Sequence, residues 1–181
     1  GDLDRDGIPE VVATEIQGNK LTILNGNSGT IKKQITVPYE LDRDAAIANI
    51  NNTSCAQIFT TGTISKIWYI FAYDCNLNLL WSTQALTPAA NSFSAVAQPY
   101  TLGIADFDGD GSPEIGVATD TVYAVYETDG TMLWSQPVID ASSHTTGSSV
   151  FDFDGDGRSE VVYADEQTLW VYEGKTGEVR L

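Results

Sequence analysis

Positive charge is scarce in this chain: nine Lys and Arg face twenty-five Asp and Glu, for a formal net charge of −16. Nucleic acid and anionic membrane surfaces both call for clustered Lys and Arg, so neither is expected as a partner. Long apolar runs are missing as well, which excludes a bilayer-spanning helix, and no membrane insertion is expected. Histidine is reduced to His144, set in the polar stretch SSHTTGSS and read as a solvated surface residue. No Ser/His/Asp set, Cys/His pair or zinc cluster can be assembled around it, so no catalytic residue is nominated. No segment carries a convincing apolar period of 3.6, which leaves helix a minor component. Cysteine occurs twice, as Cys55 and Cys75. A lone pair is compatible with buried thiols as well as with a disulfide. An initiating methionine is also missing: the chain opens at Gly1, inside a motif. The start is expected to be a truncation, and the lack of a signal peptide carries no information about compartment.

What is present is acid in three short loops. An acidic chain is often a disordered one, but four Trp, eight Tyr and many Val/Ile runs contradict that reading. Three segments share one pattern: DLDRDGIPEVVAT from Asp2, DFDGDGSPEIGVAT from Asp106 and DFDGDGRSEVVYA from Asp152. A fourth, NINNTSCAQIFTT from Asn49, fits the same register with Asn49, Asn51, Thr53 and Gln57 in place of the acids. The starts lie 47, 57 and 46 residues apart, the spacing of propeller-blade repeats.

The flanks of each loop recur too. A short apolar run precedes it, then come a β-branched run, an aromatic-rich run (KLTILNG, IWYIFAYD, TVYAVYE, TLWVYEG), a turn and a last run. Four short runs per repeat predict an all-β protein of propeller blades, each made of four antiparallel strands. The blades are expected at about residues 1–40, 41–96, 97–144 and 145–181. One of the four lacks its first strand, so a fragment of a larger propeller of six to eight blades is expected, with a four-bladed ring as the alternative. Residues 86–100 lengthen the second repeat and are read as a surface loop.

Carboxylates at alternate positions of a tight loop converge on Ca²⁺, a hard cation that takes six to eight oxygens. The expected ligand sets are Asp2, Asp4, Asp6, the Ile8 carbonyl and Glu10; Asp106, Asp108, Asp110, the Ser112 carbonyl and Glu114; and Asp152, Asp154, Asp156, the Arg158 carbonyl and Glu160. Ile, Ser and Arg at the seventh position fit a main-chain ligand, whose side chain is free to vary. An EF-hand needs an acid at position 12, where this chain has Ala13, Val117 and Tyr163, and it needs flanking helices. Mg²⁺ rarely takes an all-protein cage. Three Ca²⁺ sites are therefore expected, and none in the uncharged Asn49 loop. A hairpin pairing 55–61 with 67–75, centred near Ser65, places Cys55 opposite Cys75 and favours a disulfide and an oxidising compartment.

The DFDGDGxxE motif followed by a β-run resembles the FG-GAP/VCBS repeat family, the calcium-loop propellers of integrin α-subunits and many secreted bacterial proteins. The resemblance covers nearly the whole chain. It implies a secreted or cell-surface propeller with Ca²⁺ on the three acidic sets above, and it departs at the Asn49 repeat. Two functions remain open. One is a non-catalytic recognition, adhesion or scaffolding module, with a protein or glycan ligand and the remaining blades as partners. The other is the propeller portion of a polysaccharide lyase or a quinone-dependent dehydrogenase, to which ETDGTMLW and EGKTGEV bear a weak likeness. Trp68, Trp81, Trp134 and Trp170 fit blade packing better than a sugar platform, since they recur within strand runs.

Overall fold

The computed structural model describes residues 1–15, 18–50, 55–85, 99–140 and 146–180, and leaves undescribed the side chains of 43, 44, 99 and 100. His144, Asn51, Thr53 and nearly all of the 86–100 segment lie outside the described residues. Fourteen strands and no helix are found among the described residues. All pairings are antiparallel, and each sheet is a simple meander.

The chain divides into two compact units, residues 1–84 and 85–181. In the first, β1 (Glu10–Thr14), β2 (Lys20–Asn25) and β3 (Ile31–Thr36) form a three-stranded sheet. A four-stranded sheet follows, of β4 (Glu40–Ala48), β5 (Gln57–Ile64), β6 (Ile67–Tyr73) and β7 (Leu79–Gln84). The second unit has a four-stranded sheet of β8 (Pro99–Ala105), β9 (Glu114–Thr119), β10 (Val122–Tyr126) and β11 (Met132–Pro137). Its other sheet is β12 (Ser148–Phe151), β13 (Glu160–Ala164) and β14 (Leu169–Tyr172), extended by a single bridge from Tyr172 to Val179. The four-run repeat thus appears in space as β-propeller blades.

Burial follows strand position. Inner strands such as β9 are buried along their whole length, so their apolar run is continuous, whereas outer β3 and β7 show only every second residue partly covered. Each acidic loop leads directly into a strand, namely β1, β9 and β13 in turn. In the Asp2 and Asp106 loops the second residue turns inward: Leu3 joins Leu21, Ile58, Phe71 and Tyr73 in the core of the first unit. Phe107 joins Tyr123, Val125, Tyr163 and Tyr172 in the second. Trp134 closes that core and donates its indole N–H to the Gly174 carbonyl at 2.5 Å, which confirms a packing role for this tryptophan.

Outer hairpins repeat one device. The ladder slips by one residue between Ile23 and Leu24, between Ala72 and Tyr73, and between Val125 and Tyr126. Each slip precedes a turn that holds one residue at positive φ, namely Gly29, Leu77 and Gly130. Glycine supplies that conformation cheaply; in the second sheet a buried leucine takes it instead.

The β5–β6 hairpin corrects the expected register. Its turn has two central residues, Ser65 and Lys66, both at positive φ, so the strands pair Ile64 with Ile67 and Ile58 with Tyr73. Continued outward, that register sets Ala56, not Cys55, against Cys75. The disulfide between Cys55 and Cys75 nevertheless forms, with 5.8 Å between Cα atoms, because both residues lie just beyond the ladder where the backbone leaves it.

Candidate metal loops

The three acidic loops fold alike because each carboxylate first satisfies backbone N–H groups. The amide of the sixth residue donates to the first aspartate: Gly7 to Asp2 at 3.1 Å, Gly111 to Asp106 at 3.0 Å and Gly157 to Asp152 at 3.0 Å. All three glycines stand at φ near +86 to +89°, where a side chain is strained. The seventh amide donates to the fifth residue, from Ile8 to Asp6, Ser112 to Asp110 and Arg158 to Asp156. The second amide donates to the glutamate that starts the strand: Leu3 to Glu10, Phe107 to Glu114 and Phe153 to Glu160, at 2.7–2.9 Å. Such bonds wind the loop so that its remaining oxygens face inward.

Asp106, Asp108, Asp110 and Glu114 bring four ligand oxygens within 4.8 Å of one another. Oxygens on opposite sides of one Ca²⁺ stand about 5 Å apart, so the group has the size of a single ion's shell. Asp2, Asp4 and Asp6 form a second such group, and Asp152, Asp154 and Glu160 a third. The carboxylates of the expected sets thus all come together in the middle loop and only in part in the other two. Glu10 is not drawn into the first group, and Asp156 is not drawn into the third.

The middle loop passes a further test of fit. Glu114 is fully buried, and its Oε1 has no hydrogen-bond partner. A buried carboxylate oxygen left unpaired is costly, and a cation in the cluster would satisfy it. Burial pushes the Glu114 carboxyl up to about 7 against the pull of two amides, and the charges of Asp108 and Glu127 add to the rise. Glu127 is itself raised, by burial first and then by Asp108, Asp110 and Asp129. Asp2 Oδ1 and Glu160 Oε1 are likewise buried without a hydrogen bond.

Two residues that sequence reasoning passed over enter the outer loops. Lys32 Nζ stands 2.8 Å from Asp4 Oδ2 and 2.7 Å from Glu10 Oε1. Arg180 Nη1 stands 2.6 Å from Asp154 Oδ2 and 3.8 Å from Glu160 Oε1, and its other terminal nitrogen pairs with Glu173. Their hydrogen bonds hold Asp4 and Asp154 below the usual carboxylate range. The signal lay in the repeat itself. Ile31, Leu79, Met132 and Val179 pair with Leu24, Tyr73, Tyr126 and Tyr172 near the ends of the preceding strands, and the next residues are Lys32, Leu80, Leu133 and Arg180.

The Asn49 segment keeps the scaffold without the charge. Ile50 N donates to Gln57 Oε1 at 3.0 Å, the bond that Leu3 and Phe107 make to glutamates. Gln57 is buried and turns its amide N–H₂ to the Cys55 carbonyl, so a neutral side chain does the glutamate's structural work.

Residues 106–163, from the middle loop into the second strand of the last sheet, match the family described as FG-GAP-like repeat. Over those residues the chain is similar to an FG-GAP-like repeat. Among solved structures, the Vibrio cholerae (V. cholerae) biofilm matrix protein Bap1 is similar over 99% of this chain and 27% of its own, at 25% identity and a TM-score of 0.70. The Bacillus licheniformis rhamnogalacturonan lyase PL11 is similar over 90% of this chain and 30% of its own, at 19% identity and a TM-score of 0.62. A europium-containing methanol dehydrogenase follows at 12% identity and a TM-score of 0.60, over 96% of this chain and 40% of its own. The last two likenesses are of fold alone. This chain spans well under half the length of each of these structures. The curated proteins contain no match.

Proposed function

We propose that this is a calcium-stabilised propeller module of an extracellular protein, serving recognition, adhesion or scaffolding rather than catalysis. The observation that carries the reading is the fully buried, unpaired Glu114 oxygen within a cluster of four carboxylates. Ca²⁺ would be held by Asp106, Asp108, Asp110, the Ser112 carbonyl and Glu114. Equivalent sets are Asp2, Asp4, Asp6, the Ile8 carbonyl and Glu10, and Asp152, Asp154, Asp156, the Arg158 carbonyl and Glu160. The ion's contribution is charge neutralisation, which lets a loop of like charges pack against a sheet.

An extracellular setting is supported by the Cys55–Cys75 disulfide and by the likeness to a biofilm matrix protein. Further blades of the same kind are proposed as partners. Phe153 occupies the loop position that in Phe107 is wholly buried, yet it stands 55% exposed with Phe151 against its edge, a surface suited to a neighbouring sheet. The outward loops are left to a protein or glycan ligand.

Metal analysis and calorimetry on the full chain test the first half of the proposal. Three Ca²⁺ bound per chain segment, with Asp108→Ala removing one, is the expected result; no Ca²⁺ binding sinks it. The second half is tested by assaying the Ca²⁺-loaded protein against polysaccharides and, with added quinone, against alcohols and sugars. Saturable glycan or protein binding without turnover is expected. Turnover that disappears when His144 is replaced would make the protein an enzyme.

A further inference from the structure

The three acidic loops differ in one respect that neither the motif nor the spacing of carboxylates reveals. In the first, the Lys32 ammonium already bridges Asp4 and Glu10, the third and ninth positions. In the last, the Arg180 guanidinium lies against Asp154 and Glu160, again the third and ninth. Both cations project from the same place in the repeat, one residue past Ile31 and Val179, which pair with Leu24 and Tyr172 respectively. In the middle loop that place belongs to Leu133, which is packed against the apolar core. Among the described residues no Lys or Arg nitrogen comes within 4 Å of Asp106, Asp108, Asp110, Glu114 or Glu127. Arg158 reaches over Gly109, but its guanidinium pairs with Asp156 at 3.5 Å.

From this we infer that Lys32 and Arg180 are built-in competitors for Ca²⁺, so that the middle loop fills first and the flanking loops fill only at higher concentration. An ammonium or guanidinium seated between two carboxylates supplies the charge that an incoming ion would supply, and the ion must displace it. Fewer free carboxylates means weaker binding, since ligand charge is the main control on affinity in loops of this kind. Both competitors are able to move. Lys32 and Arg180 are 33% and 37% exposed, and a cavity of about 200 Å³ beside Lys32, bordered by Asp4, Glu10 and Lys33, offers it room. Without Ca²⁺ the same side chains hold the flanking loops folded, while the middle loop has no such substitute. The chain therefore grades its response: one loop wholly dependent on the ion, two able to stand without it.

This inference rests on reading the loops as Ca²⁺ sites, and each loop carries its own reporter. The amides of Gly7, Gly111 and Gly157 donate to the first aspartate of their loops, so their NMR shifts follow the three sites separately during a Ca²⁺ titration of the full chain. Gly111 is expected to respond at a Ca²⁺ concentration about tenfold or more below that for Gly7 and Gly157. Lys32→Leu should bring the Gly7 response to lower Ca²⁺ without moving that of Gly111, and Arg180→Leu should do the same for Gly157. Both changes are at exposed positions and place there the leucine the middle repeat already has. Each should also lower the melting temperature in chelator and raise it in saturating Ca²⁺, a reversal of sign that mere loss of a surface ion pair does not produce. Three equal responses, or responses unmoved by either substitution, would overturn the inference while leaving the loops as Ca²⁺ sites. No response at any glycine would overturn the metal reading itself.

Discussion

Glu114 and Gln57 occupy one position in two repeats, and the contrast between them isolates a single charge. Both are buried, and both accept the amide of the second residue of their loop. Gln57 spends its second polar group on a carbonyl, whereas Glu114 Oε1 has nothing. Without Ca²⁺, Glu114→Gln is therefore expected to raise stability by about 1–3 kcal/mol, read as a higher melting temperature in chelator. The sign of the pH dependence follows. A carboxyl raised from 4.5 to about 7 keeps its proton in the folded chain over a range where the unfolded chain has lost it. Metal-free stability then carries no penalty from this group below pH 4.5, falls as pH rises to about 7 and levels off above. Glu114→Gln should flatten that slope, and a slope that survives the substitution would exclude Glu114 as its source. The carboxylates of this loop were legible from the motif alone. The orphaned oxygen was not, because burial is set by three-dimensional packing that motif spacing does not encode.

Hairpins show where the sequence spoke ambiguously. Alternation and turn chemistry identified the aromatic run after each β-branched run, so the existence of β5 and β6 was plain. Their register was not, since a turn centred on one residue and a turn of two residues differ by a single position, and Ser-Lys is not among the pairs that favour positive φ. The same holds for Leu77, whose left-handed backbone stands where the first, third and fourth sheets use Gly29, Gly130 and Gly177. Two measurements belong here. Replacing Ser65-Lys66 by Asn-Gly, the pair preferred for a turn with both residues at positive φ, should stabilise the chain by about 0.5–1 kcal/mol in denaturant unfolding. Reducing the Cys55–Cys75 bond, or Cys75→Ser, should cost about 2–4 kcal/mol, since it frees a loop of 20 residues in the unfolded chain. A register centred on Ser65 itself would make the Asn-Gly replacement destabilising instead.

At the scale of the whole molecule, a charge of −16 must coexist with tightly packed sheets, and the loops are where the two demands meet. Each described acidic loop with a sheet beyond it grips that sheet. Ala56 N donates to the Leu3 carbonyl at 2.9 Å, and Ser159 N donates to the Asp106 carbonyl at 2.9 Å. Leu3 and Phe107 add apolar anchors on the same side. The bands of acid are thus placed at the joints between neighbouring sheets, where their mutual repulsion weakens packing and Ca²⁺ would restore it. At millimolar Ca²⁺ and a Kd of about 0.1 mM, mass action contributes roughly 1.4 kcal/mol per site. Chelation should therefore lower the melting temperature measurably. It should also speed hydrogen exchange at the Ser159 amide more than at the Ala56 amide, because Lys32 still neutralises part of the first loop when the ion is gone. Phe107→Ala should cost about 3–5 kcal/mol with or without Ca²⁺, since it removes the anchor and not the ion. Melting and exchange that stay unchanged in chelator, with metal loss confirmed, would mean that these joints hold without the ion and that the carboxylates serve something other than the fold.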